Sequence, residues 1–211
     1  MQPEATLILN GCIATTGKQQ FCNLLREIEI VNDVPIDAIG LDICEPLGTH
    51  VAPAKLLRVL NQYAEFGLPI RMTQPMLPSD GRPIRSSWKQ GAWTEREQAD
   101  YAAALYTVCF SHPSVEAITW SIFADKADSQ EECGLLRTKL YTKRIYKILR
   151  KLIHSEWRTR VHGSPNENGD FHFRGFYGQY QVTVIPSNRT PYTTTIHLSK
   201  NGRSDFDITL A

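Results

Sequence analysis

Four short apolar runs, each followed by a stretch of helical periodicity, organise most of this sequence. The runs are Ala5–Asn10, Ile36–Asp42, Pro69–Gln74 and Ala117–Phe123. They are nearly continuous in hydrophobicity, as expected of strands covered on both faces in a parallel sheet. Phe21, Leu24, Leu25 and Ile28 recur at helical spacing after the first run. Leu56, Leu57, Leu60, Tyr63 and Ala64 do so after the second, with Gly67 and Pro69 as the stop. A third helix opens at Thr94, with Glu97 three residues on, the pattern of a capping box, and carries Tyr101, Ala104, Leu105 and Val108. A fourth is expected over Lys139–Glu156, with Tyr146, Leu149, Leu152 and Ile153 on its apolar face. Strands recurring at roughly 30–45 residues with a helix between them are βα units, which stack into a parallel sheet with sequential order. The runs end in or just before polar residues (Asn10, Asp42, Gln74 and Asp125). Such carboxyl ends are where α/β sheets hold their ligands.

The pattern changes after Trp157. Segments 157–161, 171–176, 179–184, 192–198 and 206–210 alternate or are rich in β-branched and aromatic residues, with turn clusters at Asn166–Gly169, Pro186–Asn188 and Asn201–Ser204. The expected organisation is a strand–helix part over residues 1–156 and a small antiparallel β unit of about five strands over residues 157–211. The 211 residues carry 23 Lys+Arg against 22 Asp+Glu, so no nucleic-acid partner is expected. No run is long enough to span a bilayer, so no membrane partner is expected either. No secretory leader is visible at the start, and the compartment stays open. The five cysteines (Cys12, Cys22, Cys44, Cys109 and Cys133) form no CxxC pair, and His50 and His112 lack metal-ligand spacing. No metal site is therefore expected.

An ordered set of short motifs then carries a family resemblance. Leu7–Asn10, Ile36–Leu41, Gly67–Thr73, Phe110–Val115 and Ile118–Trp120 occur in the order and spacing seen in glycoside hydrolase family 10, the retaining endo-β-1,4-xylanases. The stretch Leu135-Leu136, Lys143–Tyr146, Glu156–Thr159, Gly169 and Phe173–Tyr180 is similar to the plant and animal members. The resemblance runs from Ala5 to at least Val184. It implies a partial (β/α)8 barrel made of the last four βα units, followed by the β extension, and a family reaction that needs no cofactor. The family barrel takes about 250 residues or more, and its first four strands have no counterpart here. The acid/base glutamate of the fourth strand would then lie upstream of Met1.

The same resemblance places the family nucleophile at Gln74, in Thr73-Gln74-Pro75. A carboxamide is a poor nucleophile and offers no charge to an oxocarbenium ion, so the chain is expected to be inactive. The sixth strand departs as well, with Asp42 and Cys44 where the family has Gln and a His that supports the nucleophile. Cys12 stands where an aromatic is expected, and the second tryptophan after the eighth strand is missing from Asp125–Asp128. The candidate glycan-binding residues are Trp120, Asn10 and Asp42, and the implied partner is a xylan-like polysaccharide. Trp120 offers a ring face for stacking or else fills the core. Trp88 and Trp93 either line a groove or cover the end of the sheet. Asp42, Glu45, Asp125 and Asp128 read as solvated loop charges, and His50 and His112 as surface or cap residues. Asn188-Arg-Thr190 is a glycosylation acceptor if the chain is secreted. A four-stranded parallel sheet has two open edges, so self-association is a further expectation.

Overall fold

A computed structural model of the chain describes residues 5–12, 18–31, 35–43, 47–187, 189–200 and 202–209. Cys44, Glu45 and Asn188 fall outside the described residues, as does the side chain of Cys12. The chain divides into two compact units, Met1–Lys151 and Leu152–Ala211.

The first unit follows the expected alternation: β1 (Ile8–Cys12), α1 (Lys18–Val31), β2 (Ala38–Asp42), α2 (Pro53–Ala64), β3 (Ile70–Gln74), α3 (Glu95–Ser111), β4 (Val115–Ile118) and α4 (Arg144–Lys151). The four strands form one sheet in the order β1-β2-β3-β4, every pair parallel. Alternation along each strand sorts side chains between two faces. On one face Phe21 of α1 lies so close to Gly11 that a Cβ there would overlap its ring. On the other, Ile8 and Asn10 lean over Gly40, where a Cβ would overlap Asn10 Oδ1. The inner strands are the best covered: Ala38, Ile39, Leu41, Ile70 and Met72 are all fully buried.

The helices obey their sequence signals. Pro53 opens α2, where its missing N–H costs nothing. Leu56, Val59, Leu60 and Tyr63 form the buried stripe, and Gly67 takes the positive φ of 73° that ends the turn. Thr94 Oγ1 accepts from Glu97 N at 3.2 Å and caps α3.

Three expectations need correction. The fourth strand ends at Ile118, so Trp120 lies in the loop beyond it. The fourth helix begins at Arg144 instead of Lys139, because Leu140 adopts φ 62° and segment 135–142 closes an irregular bridge between Leu136 and Thr142. In the second unit only β5 (Gly178–Val184) and β6 (Tyr192–Leu198) form a ladder among the described residues, antiparallel and in full register. Phe206 and Ile208 keep the alternation, half-buried between exposed neighbours, without ladder bonds among the described residues. Segment 166–170 closes on itself, with Asn166 N donating to Asp170 O at 2.9 Å. Alternation reports that an extended segment has one covered face; it does not report that the backbone has found a partner strand.

Candidate functional site

The register brings the sequence-selected residues to adjacent strand ends. Cys12 stands opposite Asp42, and Asp42 opposite Gln74. The latter pairing follows a register shift between Leu41 and Asp42, which sets Asp42 against Gln74 where a regular ladder would give Thr73. Gln74 is exposed at the end of β3, Asn10 is exposed on β1, and Asp42 is buried. Thr73 Oγ1 donates to Asn10 Oδ1 at 2.7 Å, a link that crosses β2. Arg71 of β3 pairs with Glu116 of β4. Trp120 is half-buried: its Nε1 donates to Cys133 O at 3.1 Å, and its ring lies 6.4 Å from that of Tyr106.

The loops after β2 and β3 are tied together beside these ends. His50 N donates to Arg85 O, Arg85 N to Gly48 O, and Trp93 Nε1 to Gly48 O at 2.7 Å. A depression of about 490 Å3 opens among Leu47, Asp80, Arg82, Arg85 and Gln130. Arg82 closes on Asp80, with Nε 2.9 Å from both carboxylate oxygens. Trp93 is fully buried and packs as a core residue against His50 and Tyr101, whereas Trp88 stays half-exposed.

Several polar residues are placed otherwise than their sequence context suggests. His50 is buried, with its ring 3.9 Å from Tyr101 and 5.4 Å from Trp93, and its Nε2 lies 3.1 Å from Glu97 Oε1. Glu97 also binds Lys89, and among the described residues His50 Nδ1 has no partner. Burial lowers the His50 pKa, and the Lys89 charge adds to the effect against the opposing pull of Glu97. His112 is buried as well. Ser114 N donates to its Nδ1 at 3.2 Å, so the ring proton sits on Nε2, which donates to Asn61 Oδ1 at 3.1 Å. Burial lowers its pKa too. Asp125 is no solvated loop charge: it accepts from Gly134 N at 2.7 Å and from the buried Lys143 Nζ at 3.0 Å. The sequence does not single out Lys143 as a buried charge, because Arg137, Lys139, Arg144 and Lys147 around it give it no distinguishing signal. Desolvation pushes the thiols of Cys109 and Cys133 up to about 12, so both are inert packing groups near neutral pH. Among the described residues no group of three metal-ligating side chains gathers, and no helix is long and apolar enough to cross a membrane.

Comparison with known proteins fits this geometry. No protein-family model matches the chain. Endo-1,4-beta-xylanase 2 of Arabidopsis thaliana is 26% identical over 220 residues, covering 99% of this chain and 18% of that protein. The anti-sigma-I factor RsgI6 of Acetivibrio thermocellus is 26% identical over 201 residues, covering 95% of this chain and 24% of that protein. The chain thus spans a quarter or less of these curated relatives. Xylanase 10B from Thermotoga petrophila RKU-1, solved with xylobiose, superposes with a TM-score of 0.56 at 21% identity, covering 73% of this chain and 48% of that one. A family 10 endoxylanase from a sugarcane soil metagenome superposes at 0.51 and 16% identity, covering 71% of this chain and 50% of that one. The fold is similar to that of about half of a family 10 xylanase barrel. The superpositions cover 73% and 71% of this chain and about half of each solved xylanase, and the sheet of four parallel strands is consistent with part of such a barrel.

Proposed function

We propose that the chain is a catalytically silent, family 10-like domain whose strand-end surface keeps recognition of a β-1,4-xylan-type glycan. The observation that carries this reading is Gln74, exposed at the end of β3, in the position that the resemblance gives to the nucleophile. A carboxamide neither attacks the anomeric carbon to give a glycosyl ester nor balances an oxocarbenium charge. The resemblance assigns none of the 211 residues to the acid/base role. What the site does hold suits neutral polyols: the Asn10 and Gln74 amides, the Thr73 hydroxyl, Asp42 beside them and the anchored indole of Trp120. The xylobiose in the Thermotoga petrophila enzyme supports the choice of ligand class. In this reading residues 1–156 are the barrel part and residues 157–211 an appended β unit.

The match to a protein named an anti-sigma-I factor favours a second reading, in which the domain serves as a recognition or interaction module without chemistry of its own. Both readings expect no release of reducing sugar from xylan by the purified chain, and no rescue by Gln74→Glu alone. They part on binding. Calorimetric titration with xylotetraose gives a saturable signal, reduced in Trp120→Ala, in the glycan reading and none in the interaction reading. Sugar release above a heat-inactivated control that disappears on changing Gln74 would overturn both.

A further inference from the structure

Asn10 raises a question that its place on β1 does not answer: which side of its amide faces the solvent. A primary amide has an acceptor oxygen on one side and two N–H donors on the other, and its hydrogen-bond partners decide which is presented. Thr73 Oγ1 has one proton and two acceptors in reach, Asn10 Oδ1 at 2.7 Å and Leu41 O at 3.4 Å. The shorter contact takes the proton. Asn10 Oδ1 is then occupied, and among the described residues no hydrogen bond of Nδ2 competes for its donors.

Gly40 makes the arrangement sterically feasible. It is the ladder partner of Asn10, and the Asn10 side chain occupies the volume a Cβ would need, with the nearest Ile8 methyl only 3.0 Å from that point. A glycine inside a strand weakens it, so its use where another backbone or side chain approaches closely is informative. We propose that Asn10, Thr73 and Gly40 form a hydroxyl-reading seat, in which Thr73 and Gly40 are positioning residues that turn the Asn10 N–H donors outward toward vicinal hydroxyls of a neutral sugar. The sugar as ligand rests on the glycan reading above; the orientation of the amide does not.

The chemistry of the surroundings, with the acidic Asp42 opposite Gln74, disfavours an anionic ligand. Asn10, Thr73 and the neighbouring Gln74 carry no charge, and the cation on the same strand, Arg71, is committed to Glu116. An anionic ligand would find no free cation among these strand residues. A polyol finds two donors on Asn10 and the lone pairs of Thr73 Oγ1.

The test combines side-chain amide NMR with titration by xylotetraose. In the wild-type chain the Asn10 side-chain protons exchange freely with water and shift when xylotetraose is added. Asn10→Asp keeps the acceptor for Thr73 but deletes the donors, and binding weakens about tenfold, the value of one lost hydrogen bond in a matched pair. Thr73→Val frees the amide to rotate, shifts the Asn10 side-chain resonances and weakens binding severalfold, whereas Thr73→Ser behaves as wild type. Gly40→Ala displaces Asn10 and mimics its loss. Slow exchange of the Asn10 amide protons in the free protein would mean that Nδ2, not Oδ1, faces Thr73, and would overturn the orientation. Wild-type binding with undiminished affinity in Asn10→Asp and Thr73→Val would overturn the seat while leaving the glycan reading intact. If wild type gives no xylotetraose shift anywhere, the sugar assignment falls together with the glycan reading, and the exchange data alone decide the orientation.

Discussion

Lys143 and Asp125 meet inside the first unit, where the exposure of the lysine is 1% and that of the aspartate 8%. Each charge is expensive there without the other, and the lysine also donates to Glu132 O at 3.1 Å. Lys143→Met should therefore cost about 3–5 kcal/mol in urea unfolding, since it strands a buried carboxylate. Adding Asp125→Asn should recover part of that loss, because the amide still accepts from Gly134 N. A single-variant loss no larger than that of an exposed pair would show the carboxylate to be better solvated than its surroundings indicate. The two buried histidines add a pH dependence of their own. Burial lowers both pKa values below the ordinary 6.5. On acidification the unfolded chain takes up protons first, so the stabilisation is complete above about pH 6.5 and is lost as the pH falls below it. Unfolding midpoints measured at pH 7.5 and 5.5 should fall toward the acid side. His112→Gln should flatten that fall, since the proton that His112 refuses in the native state is no longer at issue.

Among the elements, α3 shows how far the sequence pattern reaches. Thr94 and Glu97 have the spacing of a capping box, and the threonine half forms. The glutamate half does not: Glu97 turns to Lys89 and His50, and Thr94 N bonds to Ala92 O. Local spacing fixes which residues can cap a helix, but a buried histidine and a lysine from a preceding loop compete for the carboxylate. Thr94→Ala should cost about 1 kcal/mol, the value of a single cap, and a melting temperature equal to wild type would remove it from the stabilising contacts. The strand–helix order was legible because a parallel sheet prints continuous apolar runs and its helices print a 3.6-residue stripe. Gln74 at its strand end was legible for the same reason, through its place after Thr73. The bulge that sets Asp42 beside Gln74, the Thr73–Asn10 bond and the aromatic box around His50 were not legible, because each depends on where loops from different βα units meet. The five-strand expectation for the β unit failed on the same ground: alternation is local and a ladder is not.

The whole first unit presents a problem that none of its parts shows. Its sheet is parallel and open, so β1 and β4 are each paired on one side only among the described residues. Leu7 is 48% exposed and Ile8 39%, so apolar side chains lie open at the β1 edge, and Phe123, in the loop five residues beyond β4, is 63% exposed. Unpaired edges recruit strands, and the two available geometries differ in outcome. Pairing like with like, β1 to β1, makes an antiparallel junction and leaves both β4 edges open. Pairing unlike edges, β4 of one copy to β1 of the next, keeps every strand parallel. Two copies can then close a ring of eight strands, the number whose interior side chains just fill. Closure removes all edges, so the second arrangement is the stable one when the curvature permits it. The expected result in sedimentation velocity is a concentration-dependent shift from monomer toward dimer over the low micromolar range. Ile8→Lys places a charge on the β1 edge and should drive the equilibrium back to monomer without lowering the helical signal in circular dichroism. A cooperatively melting monomer at tens of micromolar that binds no hydrophobic dye would mean that the edges are shielded already, and that β1 and β4 are not templates for assembly.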